Sequence, residues 1–563
     1  MSTSSPPAAG EHRGGKPVEE AETAYSRARA AIIEAIRKGD FATARAKLAA
    51  ARNTWPAAAG LRRLEGNLLE GTGDLDGAAA VYRALHAEAP DDAWAALQLV
   101  QIQVRLGRHD EARRVFVSAV AGAEVGDMAR RTLLESLVAD LDVAAARTFL
   151  EDIRTRDAAL AADGERQLAQ RERIAKRNLL ARGARYEDAL AVSRELLAER
   201  PDSREHLRKL ILLLAVTGAL DQAAEHLRTA FTRWPSDWTF IFQMNRLPFR
   251  RPVLESLFGT LEENRRSGAL SGDGLFHYAA AALQVRRKDE ADAALADISP
   301  EARIAHMADP LRAALSRWPD TPPTPRFDDD LSRELATVIV PDATTTWVVF
   351  PGLFGHFTYL PLLYPDALFA RFPANVVYLR DNSLRGYLHG VKALGSDFAA
   401  TCAALRAQLD DLGTKRLITL GSSIGGFAAL RYGAHLGADT AVSLAGPTLL
   451  DPGDKERSSF NSAFVTGIPR DERDAVAIAS KATAMKVYCC YGAESPRDIA
   501  QIARMQALPN VELRPMAGVN DHFVALHLIA SGGFDDLLAE CIGTRVQQTG
   551  LHPPGVATQN ASA

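Results

Sequence analysis

The sequence predicts a multidomain protein in which an all-α solenoid of paired helices precedes an α/β domain with a mainly parallel sheet and helices on both faces. Three observations carry this. Small residues recur every 34 positions in the first half. Four prolines crowd into Pro319-Asp320-Thr321-Pro322-Pro323-Thr324-Pro325, and no helix continues through such a stretch. Beyond it, short apolar runs rich in β-branched residues alternate with helical segments, as in a parallel sheet buried on both faces.

At 563 residues the chain exceeds what one hydrophobic core can organise, so two or three domains are expected. Its 47% hydrophobic and 24% charged content is that of a globular protein. Lys and Arg number 66 against 70 Asp and Glu, a formal charge of −4, which argues against a nucleic-acid partner or an anionic membrane surface. Cys402, Cys489, Cys490 and Cys541 show neither metal-ligand spacing nor the density of a disulfide scaffold. The start of the chain is Ser-, Pro- and Gly-rich without the apolar core of a signal peptide, and the longest aliphatic run, Ile211 to Val216, is far short of a membrane span. The expectation is a cytoplasmic protein with no membrane span, no metal and no bound cofactor. Residues 1–20 and 546–563 are expected to be disordered.

The repeat is read from Gly39, Gly73 and Gly107, each followed five residues later by Ala44, Ala78 and Ala112; Pro56 and Pro90 keep the same step. The pattern resumes at Ala184 and Gly218, with Ala189 and Ala223, then Pro201 and Pro235. Helix backbones approach closely only where side chains are small, and a proline after the second helix stops it before the next pair stacks. A 34-residue unit of this kind resembles the tetratricopeptide repeat, assigned here to residues 21–319. Between Gly107 and Ala184 the period slips by nine residues, which predicts a longer helix or loop there. Such an array can bind a protein or glycan ligand in its groove, or serve as a spacer or oligomerisation surface. Trp55, Trp94, Trp234 and Trp238 are expected to fill gaps between helices, and Arg171, Arg173, Lys176 and Arg177 to form a solvated helix face.

Residues 320–332 read as a Pro-rich linker and 333–545 as the α/β domain. Strands are expected at Thr346 to Phe350, Asn375 to Leu379, Arg416 to Gly421, Thr440 to Leu444, Lys486 to Cys490 and Val511 to Arg514. The third runs into Gly421-Ser422-Ser423-Ile424-Gly425-Gly426. The G-x-S-x-G spacing places glycines where a strand and the following helix crowd together, leaving Ser423 exposed at the apex of a strained turn. A serine there is a candidate nucleophile and needs a base. His522, on the polar loop Gly518 to Phe523, is the candidate, in preference to His527 five residues into the next helix. The base needs an acid to fix its tautomer. Glu494 and Asp498, after Tyr491-Gly492, both qualify by spacing; Asp498 would sit in the first turn of a helix beginning near Pro496, where an acid can equally be a dipole cap. The loop Pro351 to His356 supplies an oxyanion hole, with the Leu353 amide joining that of Ile424. No phosphate-binding glycine pattern follows that strand. Asp381 and Arg385, in the polar segment after the second strand, are candidate substrate contacts, though a polar turn is the simpler explanation of that segment, and Gly446 to Lys481 is a candidate lid.

With Ser423, the acid loop and His522 in that order, the α/β domain resembles the α/β-hydrolase family. Leu420 to Gly426, Tyr491-Gly492 and a delayed Asp498 are similar more narrowly to hydrolase-fold proteins of bacterial surface-glycan systems, some of them polysaccharide O-acetyltransferases. That resemblance implies Asp498 as the acid. It departs from the commoner hydrolase pattern, which places an Asp three residues after the glycine, where this chain has Ser495. The implied activity is acyl transfer through a serine nucleophile, as an esterase or, with acetyl-coenzyme A as co-substrate, an O-acyltransferase. The rival expectation is a non-catalytic repeat scaffold that keeps a hydrolase domain as a platform.

Overall fold

The structure, a computed structural model, describes residues 15–56, 58–90, 92–121, 127–319, 321–451, 465 and 467–543. The expected disorder of 546–563 and most of that of 1–20 fall outside these residues. Gly15–Arg37 is a helix, so residues 15–20 depart from that expectation; Val18-Glu19-Glu20-Ala21-Glu22 is rich in strong helix formers.

Seventeen α-helices among the described residues precede the first strand. They run in pairs, such as Ala59–Gly71 with Leu75–Glu88, and the turns between them carry the 34-residue signature. Gly39, Gly73, Gly107 and Gly218 all have φ between 71° and 86°, a region L side chains rarely enter. Ala184 takes the same conformation at φ 56°. Ala44, Ala78, Ala189 and Ala223 are wholly buried at the helix crossings. Trp55 packs edge-on to Tyr25, Trp94 edge-on to Tyr82, and Trp234 stacks on Phe240, so these rings fill gaps between helices. The slip in the period is taken up by the 25-residue helix Ala158–Arg182. One arginine on it contradicts the solvated-face reading: Arg177 is buried and its Nε and Nη2 donate to Asn178 Oδ1.

The described residues form two compact units, one up to residue 175 and one from 176 onward. The second contains the later helices as well as the sheet, so the Pro-rich stretch lies inside a unit. The reason is a continuous core: Leu207, Leu227, Phe258 and Leu311 of the helices share one apolar cluster with Trp347, Val376, Ile418 and Phe534. Helix Ala305–Leu315 packs on helix Val524–Ser531. Arg317 ion-pairs with Asp535 at 2.6 Å, and its Nη1 also donates to Ile529 O.

The sheet has seven strands: β1 (Leu335–Val338), β2 (Thr345–Phe350), β3 (Asn375–Leu379), β4 (Arg416–Ser422), β5 (Thr440–Leu444), β6 (Lys486–Gly492) and β7 (Val511–Met516). They lie in the order β1-β3-β2-β4-β5-β6-β7, all parallel except β1, which pairs antiparallel with β3. β1 was not anticipated; three of its four residues are only half-buried, as expected for an edge strand. Alternate residues feed opposite faces: Trp347 and Val349 join the helical-array core, whereas Val348 and Phe350 join Phe427 and Leu430 of helix Ile424–Leu436. The domain is thus a mainly parallel sheet with helices on both faces, as expected. Strand order reverses between β2 and β4, so the chain leaving β2 turns to one side and the chain leaving β4 to the other. A crevice opens at their carboxyl ends.

The Pro-rich stretch is pinned to the domain. Phe327 stacks on Tyr378, and Arg326 donates twice to the buried Asp366, from Nε at 2.9 Å and Nη2 at 2.7 Å, while Tyr378 Oη donates to the same carboxylate at 2.8 Å. Asp366→Ala is expected to cost about 3–5 kcal/mol, because it strands a partly buried guanidinium and a buried hydroxyl, whereas Tyr378→Phe costs about 1 kcal/mol. Urea unfolding at neutral pH checks both; a loss below about 1 kcal/mol in Asp366→Ala would contradict the assignment.

Candidate active site

β4 ends at Ser422, and Ser423 turns the chain at φ 54° and ψ −126° before helix Ile424–Leu436 begins. Two glycines make this turn feasible. A Cβ on Gly421 would overlap the carbonyl of Gly425, and one on Gly425 would overlap the carbonyls of Phe350 and Pro351. The Ser423 amide donates to Leu444 O at 2.8 Å, and its carbonyl accepts from the Gly426 amide at 2.8 Å. The main chain is thus tied on both sides and the hydroxyl left to project from the apex.

His522 brings Nε2 to 2.9 Å from Ser423 Oγ, and its Nδ1 lies 3.2 Å from Asp498 Oδ1. A carboxylate only accepts, so Nδ1 carries the proton and Nε2 is free to accept from the hydroxyl. Asp498 is 5% exposed and sits in the first turn of helix Pro496–Ile502, where Ser495 Oγ accepts from its amide at 3.3 Å. Its Oδ2 is buried with no hydrogen-bond partner among the described residues. Glu494 points elsewhere: it is exposed and accepts from the Gly518 amide at 2.9 Å, tying the acid loop to the histidine loop. His527 is bound to Asp521 through Nε2 at 3.0 Å.

A cavity of about 210 Å³ opens over Ser423 and His522 and is lined also by Gly352, Leu353, Phe354, Thr358, Tyr359, Ile424, Arg497 and Phe523. In the loop after β2 the Gly352 amide donates to His356 O at 2.9 Å and the Gly355 amide to Gly352 O at 3.0 Å. No main-chain acceptor meets the Leu353 or Ile424 amide among the described residues; Ile424 opens a helix, so its N–H lacks an intrahelical partner. Both residues line the cavity that holds Ser423.

Asp381 and Arg385 do not line it. The Asp381 carboxylate is consumed locally: Oδ1 accepts from the Ser383 amide, and Oδ2 from the amides of Arg385 and Tyr387 at 2.9 and 2.8 Å. It holds a turn in which Leu384 and Tyr387 take positive φ. Of the expected lid, residues 452–464 and 466 lie outside the described residues; Thr448 is anchored to Gln501 at 2.9 Å. Among the described residues no group of three His, Cys, Asp or Glu could hold a metal ion.

Sequence reasoning missed Thr358 and Tyr359 in the lining, and missed that the helical array backs the loop after β2. Phe242 meets Phe354 edge-on, Phe276 meets Tyr359, and Arg246 lies 4.0 Å from the Phe354 ring centre. His356 Nε2 donates to Asn245 O at 3.2 Å, and His277 stacks on Trp238. Scattered aromatic residues carry no motif, so no sequence signal could have paired them.

A sequence profile of the tetratricopeptide repeat family matches residues 69–123. No curated protein matches the chain in sequence. Among solved structures it is similar to a carboxylesterase of the thaumarchaeon Nitrososphaera gargenis, with 16% identity over 37% of this chain and 93% of that one, and a TM-score of 0.25. It is also similar to a fluorophosphonate-binding serine hydrolase of Staphylococcus aureus, with 14% identity over 35% and 89% of the two chains, and a TM-score of 0.27. A tetratricopeptide repeat protein from Parabacteroides merdae is similar at 13% identity over 52% and 98%, with a TM-score of 0.22.

His277, behind the loop after β2, and His356, within it, make stability depend on pH. Burial lowers His277 from 6.5 to about 3; burial, helped by the charge of Arg380 and opposed by Asp329, lowers His356 from 6.5 to about 4. Below pH 6.5 the unfolded chain takes up protons that the folded one refuses, so stability falls as pH falls, from about 6.5 down to about 4 for His356 and about 3 for His277. Each contributes up to ~1.4 kcal/mol per pH unit in that window. Urea midpoints between about pH 7 and pH 5 should decline, less steeply in His277→Phe; an unchanged slope in that variant would contradict the assignment.

Proposed function

We propose that this chain is a serine-nucleophile acyl-transfer enzyme, an esterase or O-acyltransferase acting on a glycan or glycoconjugate ester, with the helical repeats recruiting the molecule that bears it. The observation that carries the reading is the convergence of Ser423, His522 and Asp498, from three separate stretches of chain, at 2.9 and 3.2 Å. A serine held at positive φ costs about 1–3 kcal/mol, a cost that a purely structural platform gives no reason to keep.

The chemistry follows from the contacts. As Ser423 Oγ attacks the ester carbonyl carbon, its proton passes to His522 Nε2. Asp498 holds the ring with Nδ1–H toward itself and stabilises the imidazolium. The amides of Leu353 and Ile424 receive the oxyanion. Collapse breaks the bond to the leaving alcohol, which takes the proton from Nε2 and departs, leaving an acyl ester on Ser423. Water or a sugar hydroxyl then gives its proton to Nε2 while its oxygen attacks that ester, and Ser423 recovers its hydrogen as it leaves. Water yields a carboxylic acid; a sugar yields a new ester, with acetyl-coenzyme A as the co-substrate that loads the serine.

The glycan assignment rests on the resemblance of Leu420 to Gly426 and of the delayed Asp498 to proteins of surface-glycan systems. A cytoplasmic setting fits the four free thiols, of which Cys489, Cys490 and Cys541 are buried.

A fluorophosphonate probe should label the wild type and not Ser423→Ala. Ser423→Ala and His522→Ala should each lower ester turnover by about three to six decades and Asp498→Asn by about four, while Glu494→Gln stays close to wild type. Well-folded wild type that takes no label would overturn the reading. Acetyl-coenzyme A consumed only when a glycan acceptor is present would mark the transferase.

A further inference from the structure

Around the sheet, three buried or half-buried arginines are matched to carboxylates. Arg380 pairs with Asp329, Arg431 with Glu472 and Arg326 with Asp366. Two guanidinium groups differ: Arg497, exposed in the cavity wall, and Arg246, half-buried beside Phe354. Arg497 lines the cavity beside Ser423 and His522 and has neither an ion pair nor a side-chain hydrogen bond among the described residues. Arg246 is half-buried with its guanidinium 4.0 Å from the centre of the Phe354 ring and 4.7 Å from that of Phe242, and among the described residues it too has no carboxylate partner. Phe354 joins the two, because the ring that stacks on Arg246 also forms part of the cavity wall.

Among the described residues the wall contains no carboxylate; its ionisable members are Arg497, His522 and Tyr359. Asp498 stands behind the imidazole, and its one partnered oxygen faces Nδ1. Burial lowers Arg246 from 12.5 to about 10, partly countered by Tyr359, as expected of a cation taken from water without a counter-ion. A guanidinium stacked on aromatic rings keeps its in-plane N–H donors free, and those donors match the two oxygens of a carboxylate or phosphate.

We propose that the cavity is built for an ester whose non-reacting part carries a carboxylate or phosphate, with Arg497 in the wall and Arg246 beside Phe354 as the groups that receive that anion. This rests on the serine-enzyme reading and adds the charge of the substrate to it. Anion binding holds the remote end of the substrate while the carbonyl meets Ser423, so the preference belongs in kcat/KM. It discriminates against neutral esters of the same shape, which leave both cations unpaired.

The test compares matched esters on the full chain: mono-4-nitrophenyl succinate against 4-nitrophenyl butyrate for an anion on the acyl side, and 4-acetoxybenzoate against phenyl acetate for one on the leaving group, each corrected for its intrinsic reactivity with hydroxide. The expected result is a kcat/KM at least about tenfold higher for the anionic member of one pair, shrinking as ionic strength rises from about 0.1 M to about 1 M. Arg497→Met and Arg246→Met should each cut that ratio by about tenfold, and Arg497→Glu should reverse it. Labelling of Ser423 by a neutral fluorophosphonate reports whether each variant is folded and its serine competent. Labelled, active protein with no anionic preference, or variants that slow both members of a pair alike, overturn the anion site and leave the serine enzyme standing. Wild type that neither labels nor turns over any ester overturns both.

Discussion

Everything at the candidate site depends on how closely three pieces of backbone approach one another where β4 ends. The carbonyls of Phe350 and Pro351 at the end of β2, the carbonyl of Gly425 in the first turn of the helix, and the end of β4 occupy space that a single added methyl group would claim. That crowding places Ser423 in a conformation its side chain disfavours. It also sets the Ile424 amide next to the loop that leaves β2. Because β2 and β4 are neighbours while their continuations part to opposite sides, one crevice receives the hydroxyl, the free helix amide and the Leu353 loop together. The imidazole and carboxylate arrive from loops following β7 and β6, farther along the same carboxyl edge.

The later helices are part of this machinery. Their apolar residues continue into one face of the sheet, and their aromatic side chains stand directly behind the loop that carries Leu353. The Asn245 carbonyl meets His356 of that loop, and Arg317 and Arg371 both grip Asp535 near the C-terminal helices. A loop that must aim main-chain amides at a developing charge works best when its position is over-determined, and here buried aromatic and histidine rings supply that rigidity. The second half of the array is therefore a structural partner of the sheet as well as a repeat.

The sequence made the strands, the repeat turns and the serine turn legible, because each depends on local rules: apolar runs for strands covered on both faces, small residues where helices cross, glycine where backbones meet. Six of the seven strands fall close to their expected places. The edge strand β1 escaped, since one short pairing with β3 leaves little pattern. Glu494 and Asp498 could not be told apart by spacing, since what separates them is direction: helix Pro496–Ile502 turns Asp498 inward, while Glu494 remains on the surface. Asp381 looked like a substrate contact for the same reason that it is a good turn former, a short acid beside amides in need of an acceptor. The docking of the later helices rests on pairs such as Arg317 with Asp535, more than two hundred residues apart, which no single sequence reveals.

The central claim is that Ser423 is the atom-donating nucleophile of a covalent mechanism, and trapping its intermediate tests this most directly. The full chain mixed with 4-nitrophenyl acetate, quenched in acid within the first turnover and digested for mass spectrometry, should carry one acetyl group on the peptide containing Ser423. In His522→Ala that adduct should form far more slowly. Acetyl found only on lysines, or equally in wild type and Ser423→Ala, would contradict the account.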